Sequence, residues 1–265
     1  CGVCLHALAG DLAAQAGVRY SLENPRAYMQ SNVLGTFNVM EAARVHGVTH
    51  LMMASTPSVY GANTQMPFHE NDKADTPLTI YTATKKANEA MAHFYAHLWD
   101  IPTTMFRFFT VYGAWGRPDL ALYKFVDALL EGRPIDIYNN GDMYRDLTHV
   151  NDSVRGIRLL MDVPPVRPAQ ASDIMDGDSL SPLAPHCVVN IGNSDKVRLI
   201  DFIDAIEKSL GIKAIRNYMP MQPGDVPATW ASAKLLEDLA GERPKTDVTE
   251  GVRNFVDWYR AYYDA

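Results

Sequence analysis

Little in this 265-residue sequence points to covalent or metallic reinforcement. It has three cysteines, Cys1, Cys4 and Cys187. These are too few for a disulfide framework, and Cys1-x-x-Cys4 lacks the second pair a zinc site needs. No apolar run approaches the roughly 20 residues of a membrane-spanning helix, and no signal peptide is evident. A reducing cytoplasm is the expected setting. Positive charge is scarce as well, with 24 Lys and Arg against 31 Asp and Glu for a net charge of −7. General nucleic-acid binding is thereby excluded, since no basic stripe is available to neutralise phosphates. A few well-placed arginines still suffice for a small anion. The eight histidines show no metal-ligand spacing. His93 and His97 lie four apart without the intervening acid of a zincin and are expected on a solvated helix face. Also lacking is a strand leading into a glycine-rich loop. The chain opens at Cys1 rather than Met, so something is expected to be missing from the front.

What remains is ordinary globular composition, 47% hydrophobic and 21% charged. From Leu12 to Gly132 helical stretches alternate with short apolar strands, the signature of a parallel sheet with crossover helices. Asn24–Val45 reads as a helix, with Pro25 in its first turn and Gly47 just past its end. Val48–Ala54 is a buried strand, Tyr81–Trp99 a long amphipathic helix, Thr103–Phe109 a strand and Leu120–Leu130 a helix. After Pro134 the texture changes. A short strand at Ile135–Tyr138 leads into an Asn-Asn-Gly-Asp turn, and Asn151–Met161 is helical. Residues 163–186, rich in Pro, Ser and Asp, read as a surface loop. A strand at Val188–Ile191, a helix at Leu199–Leu210 and two C-terminal helices complete the chain. Ser232 and Thr249 are the expected starts of those two helices.

The chemistry gathers at Tyr81 and Lys85, four apart on one helix face. A phenol with a pKa near 10 acts as a base only if its anion is stabilised, which a neighbouring ammonium does. As a bare motif the spacing more often marks an exposed helix face. Here an apolar strand ending in hydroxyls, Ser55-Thr56-Pro57-Ser58-Val59-Tyr60-Gly61, lies upstream. That pairing suits proton and hydride traffic over a nicotinamide.

Together with Arg107-Phe-Phe-Thr-Val-Tyr-Gly113, these segments resemble the extended short-chain dehydrogenase/reductase family of nucleotide-sugar epimerases and dehydratases. Three further stretches are similar to the UDP-glucuronate 4-epimerases: Leu12 to Pro25, Gly116-Arg-Pro-Asp119 and Gly141-Asp-Met-Tyr-Arg-Asp146. The resemblance runs from about Leu12 to the C-terminus. It implies Tyr81 as general base and Lys85 as holder of the nicotinamide ribose, lowering the Tyr81 pKa. Thr56 bonds the reacting sugar hydroxyl, assisted by Ser58, while Pro57 stands where serine is more usual and removes a backbone donor. Ala13, Ala14, Gln15, Asn32 and Phe108 border the NAD cofactor, and Thr110 lines the sugar. Arg145 matches a diphosphate-binding arginine. Arg117 matches the residue that faces the C5 carboxylate, a buried cation that a neutral hexose gives no reason for, with Arg19 in reserve. Tyr138 stacks on the uracil, and Gln222 and Asp225 lie in a nucleotide-contacting segment.

The implied architecture is a Rossmann-like parallel sheet plus a smaller C-terminal α/β substrate part. The expected division is 1–113 and 114–265, with the chain free to cross back. The family opens with a strand, a Gly-x-x-Gly-x-x-Gly turn and a helix that cradle the pyrophosphate. None of the 17 glycines supplies that turn, so at least one βαβ unit of roughly 30 residues is expected to be missing. Residues 1–11 stay unassigned. The implied reaction converts UDP-glucuronate to UDP-galacturonate with NAD by transient oxidation at C4, in a homodimer. A UDP-glucose 4-epimerase, a UDP-glucuronate decarboxylase, a non-catalytic fragment and a UDP-binding protein remain the alternatives.

Overall fold

In a parallel sheet covered on both faces, strands read as near-continuous apolar runs, and Leu51-Met52-Met53-Ala54 is such a run. The computed structural model describes residues 8–222 and 226–264. Cys1, Cys4 and Asp225 lie outside those residues. The main sheet holds Leu8–Asp11, His50–Ser55, Thr103–Phe108 and His186–Ile191, side by side in that order and all parallel. The first of these falls among the residues left unassigned from sequence. The last belongs to the chain's second half, which therefore returns to the sheet.

Alternation along the strands divides the core into two layers. Leu51, Met53 and Met105 pack against Met40, Ala43, Ala92 and Tyr95 of two helices on one face. Met52, Phe106, Val189 and Ile191 meet Leu160, Leu235 and Leu236 on the other. Each such side chain, fully buried, contributes about 1.5–3 kcal/mol. A third apolar cluster joins the helices Ala121–Leu130, Leu199–Leu210 and Val248–Tyr263 through Phe125, Ile203, Ile206 and Phe255. Around it stand strands of only two or three residues. Thr110–Tyr112 pairs with Leu147–His149, Tyr144–Arg145 lies between Ala228–Thr229 and Val197–Arg198, and Ile135–Ile137 pairs with Arg216–Tyr218.

Local chemistry sets the helix ends. The Asn24 side chain accepts from the Ala27 amide ahead of Pro25, and the helix that follows stops at His46 with Gly47 left-handed at φ 61°. Within it, Met29–Gly35 widens into a π turn, which period counting does not register. The helix expected at Tyr81 begins at Ile80, capped by the Thr79 hydroxyl, which accepts from the Thr82 amide at 3.2 Å.

The helix Lys234–Ala240 opens with Ser232 Oγ accepting from the Lys234 amide at 3.4 Å, and the Ala233 amide donates to Ser194 Oγ at 2.8 Å. Three expectations need correction. The last helix starts at Val248 because the Asp247 carboxylate accepts from the Thr249 and Glu250 amides. The tail of the 163–186 loop is packed in, with Ala184 fully buried, and the strand after it begins at His186. His93 and His97 are not a free solvated face. They bond Ser181 Oγ and the Leu183 carbonyl, both at 2.8 Å, and so tie that loop to the helix.

Candidate active site

The strand His50–Ser55 delivers its hydroxyls to one edge of the sheet. Thr56 is extended, and Pro57–Tyr60 forms a short turn behind it. Thr56 Oγ1 accepts from the Ser58 amide and donates to Ser58 Oγ, both at 3.3 Å. Pro57 takes the first position of the turn, where an N–H would have no partner; the missing donor there costs nothing. Ser55 Oγ donates to Glu89 at 2.7 Å, and Glu89 receives both arms of the Arg107 guanidinium at 2.9 Å. Burial works to raise the Glu89 pKa, but the Arg107 pair overrides it and holds the acid at about 2. Glu89 lies two helical turns beyond Tyr81 on the same face. Glu89 thereby locks the Tyr81 helix to two neighbouring strands, to His50–Ser55 through the Ser55 hydroxyl and to Thr103–Phe108 through the buried Arg107 ion pair.

Tyr81 sits half-buried in the first turn of its helix. Burial raises its pKa, opposed by a hydrogen bond with the Thr56 side chain and by the charge of Arg117. The Tyr28 ring meets the Tyr81 ring edge-on, centroids 5.9 Å apart. Lys85 is 3% exposed, and its Nζ donates to the Ala54 carbonyl at 2.9 Å. Burial lowers its pKa against the pull of Asp11. In this arrangement Thr56 and Arg117 offset the burial of the phenol, while the ammonium points to the strand end.

Asn32, fully buried, stands on the π turn. Its Oδ1 accepts from the Gln15 amide at 2.8 Å, and its Nδ2 donates to the Gln15 carbonyl at 3.1 Å and to Thr84 Oγ1 at 3.2 Å. The loop of Ala13, Ala14 and Gln15 is thus pinned to both helices. π turns recur at functional sites because they redirect side chains, and this one turns Asn32 inward. Tyr28 Oη reaches the Gly17 carbonyl at 2.6 Å and the Ala16 carbonyl at 3.0 Å, holding the same loop.

A cavity of about 620 Å³ is lined by Thr56, Ser58, Tyr81, Phe108, Thr110, Arg117 and Arg145. A second, of about 1160 Å³, shares Thr110, Arg117 and Arg145 and extends to Ala14, Gln15, Arg19 and Tyr138. Arg117 forks onto the Asp119 carboxylate at 2.9 and 2.7 Å. Its side chain is 45% exposed, so the expected buried cation is instead a half-exposed one at the junction of the two cavities. Arg145 donates to the Tyr144 carbonyl at 2.8 Å and the Pro227 carbonyl at 3.3 Å. Arg19 lies over the Tyr138 ring, 5.1 Å from its centroid, and lines the second cavity together with Arg117. Gln222 lines neither cavity.

Sequence reasoning passed over several residues that shape this site. Tyr28 stands one helical turn before Asn32, a spacing that signals a shared face. Asp119 and Asp146 lay inside quoted motifs, yet no role followed from them. Asp146 is fully buried and accepts from the amides of Asn193, Ser194 and Ala231 at 2.7–3.1 Å, joining strand ends that are far apart in sequence. Gly192 leaves it room, since a Cβ there would stand 2.8 Å from Asp146 Oδ2.

A parallel sheet with a strand-end hydroxyl beside a Tyr-x-x-x-Lys helix, and arginines across the cavity, defines an α/β enzyme class that works on anionic nucleotide-linked substrates. Residues 10–170 match the NAD dependent epimerase/dehydratase family, and the chain belongs to it. A protein of Rhizobium meliloti named probable UDP-glucuronate 4-epimerase is 55% identical over 252 residues, covering 95% of this chain and 74% of the relative. Protein CapI of Staphylococcus aureus is 51% identical, covering 96% and 75%. Among solved structures, a mutant UDP-glucuronic acid 4-epimerase from Bacillus cereus, in complex with UDP-4-deoxy-4-fluoro-glucuronic acid and NAD, matches with a TM-score of 0.84. Its identity is 27%, covering 97% of this chain and 76% of that one.

Proposed function

We propose that this chain epimerises a UDP-hexuronic acid at C4, interconverting UDP-glucuronate and UDP-galacturonate with NAD. The observation that carries the reading is one cavity lined at once by Tyr81, Thr56 and Arg117. The residues present fit the nicotinamide half of NAD. Lys85 is a buried ammonium with three donor hydrogens and, among the described residues, one hydrogen bond, to the Ala54 carbonyl. Donors are left for ribose hydroxyls. Ala13, Ala14 and Gln15, pinned by Asn32, would border the cofactor, with Phe108 as an apolar wall.

Bound there, NAD supplies a hydride acceptor and donor at C4 of the sugar. Tyr81 takes the C4 hydroxyl proton and returns it, and Thr56 holds the same hydroxyl, with Ser58 behind it. The phenolate that Tyr81 must visit is opposed by burial, so the positive charge of Arg117 and the Thr56 hydrogen bond are what make it accessible. Thr110 lines the sugar. Arg117 binds the C5 carboxylate through its planar fork and holds it against the loss of CO2 that a C4 ketone invites. Arg145 receives the diphosphate and Tyr138 the uracil, with Arg19 stacked on it.

The nicotinamide side belongs to residues 1–113 and the substrate side to 114–265, apart from the returning strand His186–Ile191. The working unit is a homodimer in the cytoplasm. Leu34, Phe37, Phe94 and Leu98, exposed on the helices of Asn32 and Tyr81, support pairing through those helices.

The test is Arg117→Ala, titrated by calorimetry with UDP-glucuronate and UDP-glucose side by side, because turnover of either sugar also depends on the charge Arg117 lends to the Tyr81 phenolate. Losing a charge-assisted fork weakens binding of the acid by about 10- to 100-fold and leaves the neutral sugar within about threefold. Equal losses on both substrates refute the reading.

A further inference from the structure

Arg117 follows a turn with an unusual member. Gly113 sits at φ 135°, where an added Cβ would stand 2.7 Å from Val150 Cγ1, and Gly116 folds back to donate to the Gly113 carbonyl at 3.1 Å. Between them Trp115 is left-handed at φ 63°. That backbone region disfavours a bulky L-residue by about 1–3 kcal/mol, and it persists only where surroundings over-determine it. Trp115 is also 73% exposed, so burial does not account for its placement. What holds it is an aromatic shelf on the C-terminal helix. Its ring lies 5.3 Å from that of Trp258 and 4.9 Å from that of Tyr262, and those two stack on each other at 5.5 Å with a 19° interplanar angle.

The turn is stiff in itself but needs an outside reference. Its own hydrogen bonds, with that of the Leu120 amide to the Arg117 carbonyl at 3.2 Å, fix its shape. Asp119 fixes the orientation of the guanidinium relative to the turn. Trp115 fixes where the whole unit stands against the rest of the protein. Aromatic pairs of this kind contribute about 0.5–1.5 kcal/mol each beyond burial, comparable to the strain they offset.

We infer that Trp115 is a positioning residue for substrate choice: clamped on Trp258 and Tyr262, it sets the reach of the Arg117 fork into the cavity, and so the preference for a sugar carboxylate. The inference rests on the reading of Arg117 given above. It adds a residue that acts through Arg117, and a shelf on a helix more than 130 residues further along the chain. The paired hydrogen bonds of a guanidinium fork depend on alignment and weaken steeply when it is lost, so a loosened turn weakens the acid selectively.

The experiment is calorimetric titration of the full chain with UDP-glucuronate and with UDP-glucose. The variants are Trp115→Ala, Trp115→Phe, Tyr262→Ala and Arg117→Ala, each checked for an unchanged melting transition. Trp115→Ala is expected to weaken UDP-glucuronate about tenfold and UDP-glucose less than threefold, and Trp115→Phe to restore most of the loss. Tyr262 lines neither cavity, so Tyr262→Ala moving the same ratio in the same direction is the mark of positioning. A Tyr262→Ala variant that leaves the ratio intact while Trp115→Ala collapses it makes Trp115 a direct contact and overturns the inference. So does a Trp115→Ala variant that weakens both ligands equally. If Arg117→Ala collapses the ratio and Trp115→Ala does not, this inference fails and the Arg117 reading stands. If Arg117→Ala leaves the ratio intact, both fall.

Discussion

The two walls of the cavity are built from different material. The wall with Tyr81 and Thr56 comes from a six-residue strand and a 20-residue helix, bolted together by the buried Ser55–Glu89–Arg107 link. The wall with Arg117, Arg145 and Tyr138 comes from turns and strands of two or three residues, and its Arg117 is half exposed. Proton transfer needs heavy atoms held within hydrogen-bond reach, which long elements with buried anchors supply. Choosing among sugars needs cations placed at the right distance from a variable group, and turns can be altered there without disturbing the first wall. The comparison suggests chemistry stored in the sheet and selectivity stored in the turns.

The largest expected effect strikes the first wall. Tyr81→Phe removes the proton acceptor and leaves the ring against Tyr28, so kcat falls by about 10²–10⁴-fold with little change in melting temperature. Steady-state kinetics and a thermal scan on the same sample check both halves. A fall in stability matching the fall in rate would mean that the wall is not as rigid as described. Next comes the joint beneath the second wall. Asp146→Ala strands three backbone amides, each costing about 1–3 kcal/mol when left unpaired, and a total of about 3 kcal/mol or more should appear in urea unfolding.

A third test probes the seam behind the hydroxyl turn. Glu70 is buried, its carboxylate accepts from the Asn190 amide at 2.8 Å, and its carbonyl accepts from Arg107 at 3.0 Å. Burial pushes its pKa up from 4.5 to about 7, countered only in part by that amide and by Arg107. The folded state therefore holds a proton that the unfolded chain has released between those two values. Stability from this group is fully present below about pH 4.5 and is lost as pH rises through 7, by on the order of 3 kcal/mol. Glu70→Gln should flatten that slope in urea titrations at several pH values; an unchanged slope assigns it to other groups. The smallest effect belongs to Asn32→Ala, which frees the Gln15 loop and should weaken NAD about fivefold to tenfold by calorimetry.

The same contrast explains what could be read without coordinates. Tyr81, Lys85 and Thr56 were legible because long periodic elements carry them and because strand and helix signals act within a few residues. The strand at Leu8–Asp11 was not, since Leu-Ala-Gly-Asp has neither β-branched residues nor alternation, and it forms only by pairing with His50–Met53. Strands of two or three residues such as Tyr144–Arg145 have no period to detect and exist because distant segments meet there. The π turn at Asn32 preserves a helical pattern while shifting its register. For Arg117 the residue was legible and its exposure was not, because exposure depends on where the turn after Tyr112 comes to rest.

The most direct test of the account is the identity of the product. The chain, saturated with NAD and given UDP-glucuronate, should accumulate UDP-galacturonate, read by proton NMR from the inverted C4 of the sugar ring, with the carboxylate retained. Release of CO2 with formation of a UDP-pentose, or unchanged UDP-glucuronate in the presence of bound NAD, would contradict it.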